Sequence, residues 1–169
     1  DKFMSNKFFT FLIMGVAASG KTTIAEKLAE KINGFLIEGD DYHTKENIYK
    51  MSSGVPLNDS DRYEWLIKIK NEILKRNKKQ NLVVTCSALK EKYRTLLGSQ
   101  NFNLVYLKVS KKTAHQRIRS RQGHFMPDSL VDSQFAILEE PQKSIVLDES
   151  LNTNEMVKKL VSIYKSTYQ

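Results

Sequence analysis

Short apolar runs alternate along this chain with stretches in which apolar residues return every three or four positions, the two patterns that mark buried strands and amphipathic helices. Phe8 to Met14 is a short apolar run that suits a strand buried on both faces of a parallel sheet, and it ends at Gly15. From Lys21 onward, Ile24, Leu28 and Ile32 recur every four residues among good helix formers until Asn33-Gly34 supplies a stop. The order is therefore strand, glycine loop, helix. A second apolar strand, Phe35 to Ile37, ends at Glu38-Gly39-Asp40-Asp41. A helix is predicted from Lys45 to Met51, broken by Ser52-Ser53-Gly54-Val55-Pro56.

A long helix follows, with Trp65, Leu66, Ile69 and Ile73 on one face and its Lys and Arg residues on the other. Leu82 to Thr85, Leu104 to Val109 and Ile145 to Leu147 read as three more strands, with a helix from Leu89 to Leu97 between the first two. Met156, Leu160 and Ile163, flanked by Val157, Val161 and Tyr164, form an ordinary core-facing stripe on a C-terminal helix. This alternation predicts an α/β fold in three layers, with a five-stranded parallel sheet between two layers of helices and a site at the carboxyl ends of the strands.

With 169 residues and 40% hydrophobic content the chain can bury one ordinary core, so a single domain over residues 4–169 is expected. The formal charge of +8, from 27 Lys and Arg against 19 Asp and Glu, favours anionic partners without choosing among them. Its densest cluster, Lys75-Arg76-Asn77-Lys78-Lys79, sits at a predicted helix end, where cations complement exposed carbonyls. No aromatic-plus-basic recognition motif accompanies the charge, so a nucleic-acid partner is not expected. One cysteine, Cys86, rules out an internal disulfide. No signal peptide or bilayer-length apolar run appears, and a cytoplasmic enzyme without a membrane partner is expected.

The strand-to-helix loop reads Gly15-Val16-Ala17-Ala18-Ser19-Gly20-Lys21-Thr22, a full match to GxxxxGK[ST] standing where its mechanism requires. Backbone N–H groups of such a loop surround phosphate oxygens, the helix N-terminus adds partial positive charge, and Lys21 reaches the β- and γ-phosphates of ATP. The Thr22 hydroxyl is expected to ligate Mg²⁺, and Thr23 beside it to complete the nucleotide contacts. The same loop serves switches, motors and kinases, so reaction type needs other residues. A phosphoryl acceptor needs a carboxylate near its hydroxyl proton, and Asp40 and Asp41 close the second strand. Asp40 is the expected base, standing near Mg²⁺ through a water, while capping or turn roles remain the alternative for both acids.

At this point the chain resembles the gluconate kinases, small P-loop kinases related in fold to shikimate and adenylate kinases. The likeness runs from the phosphate loop through Gly39-Asp40-Asp41-Tyr42-His43, Asn47, Lys50-Met51, Gly54 to Arg62 (GVPLNDSDR) and Trp65-Leu66. It resumes at Cys86-Ser87-Ala88-Leu89-Lys90, Tyr93-Arg94, Gly123-His124-Phe125-Met126-Pro127 and Ser133-Gln134-Phe135 to Leu138-Glu139. The resemblance implies ATP- and Mg²⁺-dependent phosphorylation of D-gluconate at its 6-hydroxyl, giving 6-phospho-D-gluconate and ADP for pentose phosphate or related sugar-acid metabolism. It also implies a homodimer. The chain's own pattern predicts a helical substrate region over about residues 42–78, and Gly123 and Pro127 mark a mobile lid over about 118–128. The chain departs from the family at Ala17-Ala18, where many members have Ser-Gly, and at Glu64, where a proline is common.

A polyhydroxy acid requires a cation for its carboxylate and short-range donors and acceptors for its hydroxyls. His43, Lys50, Asn58, Asp59, Asp61 and Arg62 supply that mixture in one stretch, with Arg62 the preferred carboxylate partner because its planar fork can bind bidentately. The alternative is a capped loop with Asp59 or Ser60 as N-cap and Arg62 in solvent. Ser87 is expected to help place substrate or a Mg²⁺-bound water. Lys90 and Arg94, one turn apart, either reach anionic substrate or are exposed charge. Arg117 and Arg121, read as four apart on a helix entering the lid, are expected at the phosphates, with Arg121 stabilising transition-state charge. His124, in the lid motif, is expected at the substrate.

Overall fold

A computed structural model of the chain describes residues 8–121 and 127–168. The central part of the expected lid, including His124, lies outside the described residues. In chain order the elements are β1 (Thr10–Met14), α1 (Lys21–Lys31), β2 (Phe35–Glu38), a 3-10 turn (Gly39–Tyr42), α2 (Lys45–Ser52), α3 (Asp59–Arg76), β3 (Leu82–Thr85) and α4 (Glu91–Leu97). A short 3-10 turn (Ser99–Asn101), β4 (Asn103–Lys108), α5 (Lys111–Ser120), α6 (Ser129–Ile137), β5 (Ile145–Asp148) and α7 (Thr153–Tyr168) complete the fold.

The five strands form one parallel sheet in the order β2-β3-β1-β4-β5. β1 is central because all five of its residues are buried, and the pleat sends them alternately to two cores. Leu12 and Met14 pack with Trp65, Leu66, Ile69 and Ile73 of α3 and with Tyr93 and Leu97 of α4. Phe11 and Ile13 pack with Ile24 and Leu28 of α1 and with Val157 and Leu160 of α7. Sequential strands leave β1 in opposite directions, and the crevice at its carboxyl end is where such a sheet binds ligands. No helix among the described residues is long and apolar enough to cross a membrane.

Local chemistry sets the helix ends. α3 begins one or two residues earlier than a cap at Asp59 or Ser60 would place it. Asn58 is its N-cap, with Asn58 Oδ1 accepting from Asp61 N at 2.8 Å and Asp61 Oδ2 accepting from Asn58 N at 3.0 Å. This reciprocal box satisfies two donors that a cap at Asp59 or Ser60 would leave open. Glu64 lies inside the helix in an i,i+4 pair with Lys68 at 3.5 Å, so the missing proline does not disturb the start.

α5 and α6 are clasped by His115, whose Nδ1 lies 2.7 Å from Asp128 Oδ1 and whose Nε2 lies 2.9 Å from Asp132 Oδ1. Arg119 also faces Asp128 at 3.4 Å, and Lys111 faces Asp132 at 3.8 Å. The Asp128 and Asp132 hydrogen bonds raise the His115 pKa above 6.5, and His115 in turn lowers those of both carboxylates. A raised histidine pKa contributes stability that is complete below the unfolded value and is lost as pH rises through the folded one. The lowered carboxylates lose theirs only in acid. His115→Gln is therefore expected to lower the thermal midpoint at about pH 5.5 and to have little effect at about pH 9. Thermal unfolding of both proteins across that range checks it, and a pH-independent difference would refute the clasp.

Candidate active site

β1 delivers the chain from a buried strand into the loop 15–20, and α1 starts directly after Gly20, whose φ of 100° needs glycine. No side chain caps α1 among the described residues, so its first N–H groups face the loop, an arrangement that favours an anion. Lys21 Nζ donates to Gly15 O at 2.9 Å and to Val16 O at 2.8 Å, which holds the ammonium against the loop. Burial lowers its pKa, opposed mainly by the nearby carboxylate of Asp40. Ala18 adopts φ 62°, a left-handed conformation that costs a non-glycine residue about 1–2 kcal/mol.

Opposite the loop, β2 ends against β3. A Cβ on Gly39 would stand 2.2 Å from Thr85 O, so only glycine permits this approach. Gly39 N donates to Thr85 Oγ1 at 3.2 Å and its carbonyl accepts from Trp65 Nε1 at 2.7 Å, which aims the following Asp40 into the crevice. Asp40 has a side chain 61% exposed and so remains accessible to an acceptor.

Glu38 escaped the sequence reading. Its Oε2 accepts from Thr22 Oγ1 at 3.1 Å and Thr85 Oγ1 at 3.0 Å, while Oε1 is buried with no partner among the described residues. Burial is the main cause pushing its pKa up. A carboxylate closing an apolar run was the available signal, because such a group is costly to bury without a partner. The orphaned oxygen beside Thr22 fits a hard divalent cation such as Mg²⁺, which takes oxygen ligands, few of them from protein, and keeps waters.

A cavity of about 350 Å³ joins the two sides. From the loop side it is lined by Ala17, Ala18, Gly20, Lys21, Thr22 and Thr23, and from the other by Asp40, His43, Arg62, Trp65 and Ser87, with Arg121 and Gln134 between. His43 stacks on Trp65 with ring centroids 4.1 Å apart and planes at 14°. Burial drops its pKa to about 4, and Arg62 reinforces that shift while Asp40 opposes it. Asn47 Nδ2, which donates to Asp61 O at 2.8 Å, lies 3.4 Å from His43 Nδ1. That network assigns the neutral ring's proton to Nε2, which lies 4.0 Å from Asp40 Oδ1.

Arg62 is 8% exposed. Its Nη1 donates to Leu57 O and lies 3.4 Å from Tyr93 Oη, and the guanidinium sits 5.5 Å from the Tyr93 ring centroid. Among the described residues no carboxylate comes within ion-pair distance of it, although buried cations ordinarily have one.

Three expected cations are drawn elsewhere. Lys50 Nζ binds both oxygens of Asp61 at 3.0 and 2.9 Å, and Lys90, the residue preceding α4, pairs with Asp59 at 3.2 Å. Arg94 is 5% exposed, not a surface cation beside Lys90. Nη1 donates to Ala88 O at 2.7 Å and Nη2 to Glu139 O at 3.0 Å, because the α4 face that carries it packs inward. Arg117 and Arg121 do not share a helix, since α5 stops at Ser120 and Arg121 is extended at φ −90°, ψ 133°. Both nevertheless line a second cavity of about 560 Å³ running from Ser19 and Thr23 past Val109 to the β5–α7 connection.

A phosphate loop facing a carboxylate, an imidazole and a guanidinium that has no carboxylate partner among the described residues, across one crevice of a parallel sheet, defines a P-loop kinase. A family model described as an AAA domain matches residues 11–141, and the solved gluconokinase of Sinorhizobium meliloti superimposes with a TM-score of 0.81 at 36% identity, covering 95% of each chain. The chain is 43% identical over 142 residues to a probable gluconokinase of Schizosaccharomyces pombe (79% of this chain, 74% of that protein). It is 42% identical over 136 residues to the thermosensitive gluconokinase of Escherichia coli (79% and 73%). The chain belongs to the gluconokinase family.

Proposed function

We propose that this kinase transfers the γ-phosphoryl group of Mg-ATP to the 6-hydroxyl of D-gluconate, giving 6-phospho-D-gluconate and ADP. The observation that carries the reading is Arg62, a buried guanidinium with no carboxylate partner among the described residues, in the same cavity as Asp40 and the phosphate loop. A sugar acid supplies the missing anion at one end and a primary hydroxyl at the other.

In this mechanism the loop N–H groups and the α1 N-terminus hold the β- and γ-phosphates, with Lys21 moving along them as charge shifts to the leaving oxygen. Thr22 and Glu38 would hold Mg²⁺, with Asp40 reaching it through a water; the ion, when bound, neutralises charge on the phosphate oxygens. Asp40 orients the acceptor hydroxyl and takes its proton late, since a loose transition state asks little of a base until the bond has formed. His43 donates from Nε2 to a substrate oxygen near Asp40, and the apolar surface of Trp65 keeps that end of the cavity dry. Arg62 grips the carboxylate, Ser87 contacts the hydroxyl chain, and Arg121 approaches the transferring phosphoryl from the α5 side.

An acceptor panel of gluconate, shikimate and nucleoside monophosphates, followed by ADP release and by NMR of the product, tests this. Gluconate is expected to be the preferred acceptor, phosphorylated at position 6. Turnover of shikimate or a nucleotide in preference to gluconate would refute it.

A further inference from the structure

The left-handed Ala18 is held by two side chains from outside the loop. Gln134 of α6 accepts from Ala17 N through Oε1 at 2.7 Å, and Arg117 of α5 donates from Nη1 to Ala18 O at 3.0 Å. The first bond holds the amide of the residue before the strained one, and the second holds the strained residue's own carbonyl. Beneath them Ala18 packs with Ala114 and Ile118 of α5 and Val131 of α6. Strain of this kind persists only where the surroundings over-determine it.

We propose that Gln134 is a positioning residue which, together with Arg117, imposes the phosphate-binding shape on a loop whose own sequence disfavours it at Ala18. A glycine at that position adopts the conformation unaided, whereas alanine needs the α5–α6 pair to hold it. The His115 clasp, by joining α5 to α6, keeps the two gripping side chains in step. The inference rests on the reading that this loop binds a nucleotide.

The test is calorimetric ADP binding, with Mg²⁺, to the wild-type chain, Gln134→Met, Ala18→Gly and the double variant. Gln134→Met, similar in length but without the acceptor, is expected to weaken ADP binding about tenfold, the loss of one acceptor for a half-buried N–H. Adding Ala18→Gly is expected to bring affinity back to within about threefold of wild type, because the strain that Gln134 opposed is gone. The gluconate KM should move less than the ADP affinity in both Gln134 variants. An undiminished ADP affinity in Gln134→Met, or a loss that Ala18→Gly fails to repair, overturns the proposal. So does a shift confined to the gluconate KM, since Gln134 also borders the acceptor side. Hydrogen exchange at the Ala17 amide of the ADP-free wild-type protein gives a check that needs no variant; protection is expected, and exchange at the unprotected rate overturns it. Absence of ADP binding by the wild-type chain would instead refute the nucleotide reading itself.

Discussion

Replacing Asp40 with asparagine is expected to lower kcat for gluconate by about 10²–10⁴-fold, the range over which a positioned base contributes. Asparagine keeps the size and most of the hydrogen bonding of the acid but cannot take a proton. Folding stability should be nearly unchanged, because the side chain is largely exposed and the neutral ring of His43 stands 4.0 Å away. The KM for ATP should change much less than kcat, since the loop holds the phosphates and this residue would reach Mg²⁺ only through a water. Steady-state kinetics with thermal unfolding of the same samples checks both. Turnover close to wild type would remove Asp40 as the base and shift attention to Asp41, which is exposed one residue further along the same turn.

Arg62→Met is expected to raise the gluconate KM about a hundredfold while leaving the KM for ATP alone, because a charge-assisted bidentate pair is lost from a desolvated site. The decisive comparison is an alditol of the same length, which has no carboxylate. It should be equally poor for wild type and variant, so the preference for the acid collapses. An equal loss on both acceptors would mean that Arg62 acts by shaping the pocket. Arg62→Lys should restore only part of the affinity, a point charge lacking the planar fork. Stability gives an independent readout. Removing a buried cation with no anionic partner among the described residues should not destabilise the free protein, in contrast to the loss expected when one member of a buried ion pair is deleted.

These two residues show unequally what a linear reading can reach. Asp40 was visible because strand ends are local features and the carboxyl end of a strand in a parallel sheet is where chemistry sits. Arg62 was one of several cations in a polar stretch, preferred for its planar fork alone. Only the fold separated it from Lys50, by setting Asp61 against Lys50 and leaving Arg62 facing the cavity. Arg94 went the other way, its guanidinium joined to the carbonyl of Glu139, 45 positions distant.

The sequence by itself determined the alternation of strands and helices, the phosphate loop and the order of motifs that marks the family, because hydrophobic periods and a contiguous loop are local properties. The tertiary structure alone decided which charges find partners. Glu38 meets Thr22 and Thr85 because β2 and β3 end together, and Gln134 reaches a loop 117 positions earlier because α6 folds across it. The energy of a buried polar group depends on the partner that packing brings within hydrogen-bond distance, and no spacing along the chain encodes that partner.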